Sequence, residues 1–140
     1  YADGHFNMNI CTYVTAVSMS PKMYAIAVYH NTKTLFNLQQ TDTAVLQLLS
    51  AEQINLVNVL GKKSGNNYNK ENYLHKKKLI STWQGYPVLE NVAALLLLNK
   101  KTVVPSGDHE LFLFDVVKYT TLQETNILSF KELIDKGFIL

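Results

Sequence analysis

A short polar segment at residues 29–35 has the composition of an anion-binding site. It runs Tyr-His-Asn-Thr-Lys-Thr-Leu, so the hydroxyls of Thr32 and Thr34 flank the positive charge of Lys33. Hydroxyl groups can donate to phosphate oxygens, and a lysine adds a point charge. Residues 35–38 can begin a helical turn, whose free amides and dipole favour an anion. The simpler alternative is that Thr32 or Thr34 only caps that helix.

His109 is a second candidate for chemistry. It follows Pro105-Ser106-Gly107-Asp108, a strong turn signal, and it begins an apolar run typical of a strand. A histidine at a strand end can project into a cleft, where its ring can orient a ligand or stabilise negative charge. The alternative is a histidine that is merely solvated in its turn.

Residues 11–14 form the third candidate segment. Small residues alternate from there on, at Thr12, Val14 and Ala16, as in an extended stretch that could line a flat ligand. By pattern alone, an ordinary amphipathic strand is the better explanation of this segment.

These segments, together with two others, resemble the flavin reductase family. Residues 11–21 (C-T-Y-V-T-A-V-S-M-S-P) are similar to its segment ending V-S-x-D-P-P, and residues 107–112 (G-D-H-E-L-F) to its G-D-H-x-I/L-F. Residues 29–35 look like its phosphate segment, residues 60–65 (L-G-K-K-S-G) like its Ser-Gly loop, and residues 86–90 (Y-P-V-L-E) like its P-V/L-L-E stretch. The order and spacing of all five segments agree with the family.

The resemblance implies an FMN site and, for His109, a catalytic role near the flavin and the nicotinamide donor. The implied cofactor-binding residues are Cys11, Thr12, Tyr13, Val14, Val28, Tyr29, His30, Asn31, Thr32, Lys33, Thr34, Lys63, Ser64 and Gly65. It further implies a homodimer in which NADH or NADPH reduces FMN, with FAD or riboflavin as alternative flavin substrates. A flavin-dependent oxygenase or an electron-transfer protein would be the partner.

Two other functions remain open. Flavoredoxin-like members of the family bind FMN and relay electrons without acting as reductases. A degenerate barrel that has lost flavin and serves only as an interaction module is the third possibility.

Composition argues against several other classes of protein. The 13 basic and 11 acidic side chains nearly cancel, unlike the dense basic face of a nucleic-acid protein. No apolar run approaches the ~20 residues that span a bilayer. The four histidines and one cysteine lack metal-ligand spacing, and neither a Rossmann nor a P-loop motif occurs. The single Cys11 fits a reducing compartment, so a cytoplasmic location is expected.

The elements that must position these residues are mostly strands. Apolar runs predict strands at residues 23–29, 43–49, 91–104 and 110–119, with an antiparallel hairpin joining the last two. Capping boxes predict helices over Ser50–Leu60 and near Phe130–Lys136, and the polar tract at 61–78 is predicted as a long loop with one helical turn at most. This pattern favours a mainly β, antiparallel Greek-key split barrel.

The chain length is that of one domain, here residues 1–140. The resemblance also implies a strand ahead of the region that matches residues 3–9. Either that strand lies upstream of Tyr1 or the barrel closes differently.

Overall fold

The computed structural model describes residues 2–139 and is dominated by antiparallel strands. Five strands form one sheet in the order β1-β2-β7-β6-β3, while β4 and β5 form a separate hairpin. The strands are β1 (Val14–Met19), β2 (Lys22–Tyr29), β3 (Thr43–Leu48), β4 (Ile80–Trp83), β5 (Tyr86–Leu89), β6 (Ala94–Ser106) and β7 (His109–Thr121). The helices are α1 (Lys33–Gln40), α2 (Leu56–Leu60), α3 (Lys70–Lys76) and α4 (Phe130–Asp135). The predicted mainly β, antiparallel fold is confirmed.

The long hairpin of β6 and β7 is confirmed and fixes the position of His109. Ser106 pairs with His109, so Gly107 and Asp108 form a two-residue turn. Gly107 has φ +66°, in the left-handed region that glycine adopts at little cost. On its other edge β7 pairs with β2, which sets His109 opposite Tyr29.

The single helix predicted over Ser50–Leu60 is wrong. The chain instead makes a 3₁₀ turn at Ala51–Gln53 and then the short helix α2. The amides of Ile54 and Val57 bond to carbonyls three residues back rather than four. Ile54, Val57 and Leu60 are all buried, the first two against Leu133 of α4 and the third in the cluster around Leu74.

The polar tract at 61–78 contains more helix than the predicted single turn. Helix α3 begins after Asn69, whose side chain accepts from the amide of Asn72 at 2.8 Å. Leu74 is fully buried in the core and anchors the helix against Phe6 and Leu60. The Asn69 cap and the burial of Leu74 therefore stabilise a helix in a segment whose composition is typical of a loop.

The core under the main sheet is apolar and close to α1. Phe112 and Phe114 of β7 are buried there with Leu98, and α1 adds Leu35 and Leu38.

At the other end of the chain, Ser129 and Glu132 form the predicted capping box at the start of α4. No helix among residues 2–139 is long and apolar enough to cross a membrane.

Candidate functional site

A cleft of about 510 Å³ opens where four parts of the chain meet: residues 7–13, the junction of β2 and α1, the 61–65 loop and the start of β7. Its volume lies within the usual range of small-molecule sites, roughly 300–1,000 Å³. Most of the residues predicted from sequence line it: Cys11, Thr12, Tyr13, Val28, Tyr29, Asn31, Thr32, Lys33, Thr34, Lys63, Ser64, Gly65 and His109. The fold thus brings together segments that lie up to about a hundred residues apart in the sequence.

Two predicted site residues lie elsewhere. Val14 lines a second, mainly apolar cavity of about 340 Å³ that adjoins the cleft and shares Cys11, Thr12 and Thr34 with it. The ring of His30 lies beside Glu110, with 3.8 Å between Nε2 and Oε1. The amide of His30 donates to the carbonyl of Asp108 at 3.0 Å, so its backbone helps to join β2 to the hairpin turn.

Thr32 caps helix α1, as the simpler of the two sequence interpretations predicted. Its Oγ1 accepts from the amide of Leu35 at 3.1 Å and donates to the carbonyl of Tyr29 at 2.9 Å. The hydroxyl proton of Thr32 is therefore already engaged and cannot be donated to a ligand without breaking a bond.

Thr34 differs from Thr32 because its hydroxyl proton has no acceptor among residues 2–139. Its Oγ1 accepts from Nδ2 of Asn7 at 3.0 Å, which orients the hydroxyl at the wall of the cleft. Thr34 lies in the first turn of α1, where backbone amides precede the first intrahelical bond, from Phe36 to Thr32. A free hydroxyl donor and free amides at this helix end suit an anion.

Gly65 holds the 61–65 loop close to α1. A Cβ at this position would collide with the side chain of Asn7 and lie 3.0 Å from the Cβ of Lys33. The adjacent Asn66 donates through Nδ2 to the carbonyl of Asn31 at 3.0 Å. The loop and the β2–α1 junction therefore form one narrow cradle that leaves no room for a larger side chain.

His109, which also lines the cleft, stands between two aromatic rings. The ring centroids of Tyr13 and Tyr29 each lie 5.3 Å from that of His109. Nδ1 of His109 lies 2.5 Å from Oδ1 of Asp108, and this hydrogen bond holds the pKa of Asp108 below its usual value. With Nδ1 donating to the carboxylate, Nε2 is the ring nitrogen left for a ligand. His109 is therefore oriented by its neighbours rather than freely solvated.

Sequence reasoning missed Lys70, which lines the same cleft near Cys11. Lys70 is buried and its Nζ donates to the carbonyl of Leu60 at 2.6 Å. Burial lowers the pKa of Lys70 to about 8, and burial raises the pKa of the Cys11 thiol to about 11. Within a tract that also holds Lys76, Lys77 and Lys78, this lysine resembles a solvated charge; only the Asn69 cap before it indicates an ordered helix.

These two shifts predict how stability changes with pH in the flavin-free protein. Between its folded pKa of about 8 and the ordinary lysine value of 10.5, Lys70 binds more protons when unfolded, so stability rises with pH. Between 9.0 and about 11 the Cys11 thiol binds more protons when folded, so its contribution falls with pH. Urea unfolding from pH 8 to 9 should show a rise in the free energy of unfolding that Lys70→Met removes. If the free energy of unfolding changes with pH in the same way for the wild type and Lys70→Met, the prediction for Lys70 is wrong.

The donor set fits an FMN-type ligand. Thr34, the amides at the start of α1 and the Gly65 cradle offer groups for a phosphate. Tyr13, Tyr29 and His109 offer aromatic and polar groups for a ring. Among residues 2–139 no group of three or more His, Cys, Asp or Glu side chains is placed to hold a metal ion.

Comparison with known proteins assigns the family. Residues 2–132 match the family model described as flavin reductase like domain. The chain therefore belongs to the flavin reductase-like family. None of the curated proteins searched matches the chain.

Solved structures share the fold at low sequence identity. An FMN-binding protein from Thermus thermophilus with bound 1-cyclohex-2-enone aligns with a TM-score of 0.77 and 23% identity, over 86% of this chain and 66% of that one. The flavin reductase PheA2 aligns with a TM-score of 0.74 and 21% identity, over 91% of this chain and 78% of that one. The NADH:FAD oxidoreductase SgcE6 of Streptomyces globisporus, in complex with NAD and FAD fragments, aligns with a TM-score of 0.66 and 21% identity. The alignment covers 79% of this chain and 64% of that one. The chain thus spans about two thirds of the Thermus and Streptomyces proteins.

Proposed function

We propose that this chain is an NAD(P)H-dependent flavin reductase that binds FMN in the cleft described above. The observation that carries the proposal is the convergence of Thr34, Gly65 and His109 on one cleft, although they come from three distant segments. The names of the similar structures, an FMN-binding protein and two flavin-reducing enzymes, support the same reaction class.

In this proposal the two ends of the cleft have different tasks. Thr34 and the first amides of α1 bind the phosphate, with Lys33 adding positive charge at the rim. The extended backbone at residues 11–13 and the ring of Tyr29 line the space for the flavin ring. The flavin supplies the redox chemistry, since it can accept a hydride, and the protein orients it and sets its electrostatic surroundings.

His109 is proposed to position the nicotinamide donor. Hydride transfer needs alignment of donor and acceptor rather than a general base, so an oriented ring with a free Nε2 suits that role. The bond from Nδ1 to Asp108 keeps the ring in one orientation. NADH is supported as a donor by the similar fold of SgcE6, which carries NAD and FAD fragments.

We further propose a cytoplasmic homodimer that delivers reduced flavin to an oxygenase or another electron acceptor. Exposed apolar side chains on the two strands that flank β2 support pairing: Val17 and Met19 on β1, and Val117 and Tyr119 on β7. An obligate interface of this kind buries ~2,000 Å² or more. Sedimentation should show a dimer at micromolar concentration, and a flavin-loaded monomer would contradict this part of the proposal.

Anaerobic mixing of the FMN-loaded protein with NADH or NADPH tests the reductase activity. The proposal predicts loss of the oxidised flavin absorbance band with saturating dependence on donor concentration. Bound flavin that dithionite reduces but neither nicotinamide reduces would favour the electron-carrier alternative. A purified protein that binds no flavin would favour an interaction module.

A further inference from the structure

Lys70 is the charged residue that the fold buries most deeply. Its exposed fraction is 3%, and no other charged residue within 2–139 is buried. An ammonium has three N–H donors, yet the carbonyl of Leu60 is the one acceptor found for it in that range. No carboxylate of these residues pairs with it. A buried positive charge with a single neutral partner is costly, so a further role is needed to explain it.

The position of Lys70 indicates where its charge acts. It lines the cleft together with Cys11, Thr12 and Gly61. The Cys11 thiol, whose pKa is raised by burial, stays neutral near pH 7 and leaves the positive charge uncompensated. Of the residues proposed to hold the phosphate, Thr34 accepts from Asn7, and Gly65 lies close to Asn7. Lys70 lines the cleft with Cys11, in the segment proposed to line the ring, and its charge is near enough to that thiol to affect its pKa.

We propose that Lys70 binds the negative charge that reduction places on the flavin ring; the inference rests on the proposed function. A hydride delivered to a neutral ring brings two electrons and one proton, and so leaves one negative charge there. The ammonium of Lys70 stabilises that charge because it is already fixed at the wall of the cleft by its bond to the carbonyl of Leu60. The residue therefore favours binding of the reduced flavin over the oxidised flavin.

A purely structural role for Lys70 makes a different prediction. Its bond to Leu60 satisfies a carbonyl at the C-terminus of α2, where a cation is favourable. Lys100 does the same for α1, donating to the carbonyls of Leu38 and Thr41 at 2.7 and 2.9 Å, and it lies outside the cleft. Lys100 therefore provides a matched control.

The test compares Lys70→Gln with Lys100→Gln. Glutamine keeps an N–H donor for the helix carbonyl but removes the charge. Dissociation constants are measured anaerobically for oxidised and dithionite-reduced riboflavin, and again for FMN. Lys70→Gln is expected to weaken binding of the reduced form relative to the oxidised form by about tenfold or more, equivalent to ~1.4 kcal/mol. The preference for reduced over oxidised flavin should fall equally for riboflavin and FMN. Lys100→Gln should leave that preference unchanged.

Three results would overturn the proposal. Equal weakening of the oxidised and reduced forms would make Lys70 a structural cap. Weakening confined to FMN would make it a phosphate ligand. A wild-type protein that binds no flavin would remove the proposed function and this inference with it. Lys70→Met, which exchanges a buried charge for an apolar chain of similar length, is the second variant if Lys70→Gln does not fold.

Discussion

Replacing Thr34 by valine is expected to weaken FMN binding by roughly 10- to 160-fold, because a hydrogen bond to a charged group is worth roughly 1.5–3 kcal/mol. Valine keeps the shape of the side chain and removes only the hydroxyl, whose proton has no acceptor among residues 2–139. Riboflavin lacks the phosphate, so its affinity should stay near that of the wild type. Fluorescence titration with each flavin measures the difference.

Thr32→Val is the matched control for this experiment. The hydroxyl of Thr32 is engaged with Leu35 and Tyr29, so its loss removes a helix cap worth roughly 0.5–2 kcal/mol of stability. Any change in flavin affinity should then be the same for FMN and riboflavin. If Thr34→Val also weakens both flavins equally, the phosphate does not bind at this end of the cleft. Thr34→Ser should restore FMN affinity, since it returns the hydroxyl.

Replacing His109 by alanine is expected to slow reduction of bound FMN by NADH roughly 10- to 100-fold, the scale of loss when reacting groups are misplaced by about 1 Å. FMN affinity should change little, because the contacts of His109 are with Tyr13, Tyr29 and Asp108 rather than with Thr34 or the other groups proposed to bind the phosphate. Stopped-flow bleaching at equal flavin occupancy, over a range of NADH concentrations, separates donor affinity from the maximal rate.

His30→Ala is the control for the His109 variant. His30 lies near the same turn but outside the cleft, with its ring beside Glu110. NADH should reduce the FMN bound to His30→Ala at the wild-type rate. Unchanged reduction in His109→Ala, or an equal loss in both variants, would remove the special role assigned to His109. Asp108→Asn is expected to show an intermediate loss, since an amide can still hold the ring but carries no charge.

The strands and the residues at their ends could be predicted from sequence because their signals are local. The turn at Gly107-Asp108 sets the register of β6 and β7 and so places His109 at the start of β7. Its position opposite Tyr29 comes from the separate, long-range pairing of β7 with β2. The cleft itself could be expected only from the ordered set of motifs that the family shares.

Other features depend on contacts that local patterns do not contain. Which residues of 11–14 line the cleft depends on how this segment packs on the barrel: Cys11, Thr12 and Tyr13 line it and Val14 does not. The winding of residues 51–60 into a 3₁₀ turn and a short helix likewise has no signal in the capping-box pattern. Lys70 was missed because its burial depends on α2 and α3 packing together.

Titration of the flavin-free protein with FMN shows whether the cleft is a flavin site. We expect saturable binding of a single FMN per chain, tighter than that of riboflavin, with quenching of flavin fluorescence as the ring enters the cleft beside Tyr13 and Tyr29. Equal affinity for FMN and riboflavin would contradict the phosphate site. Absence of saturable binding by either flavin would contradict the account as a whole.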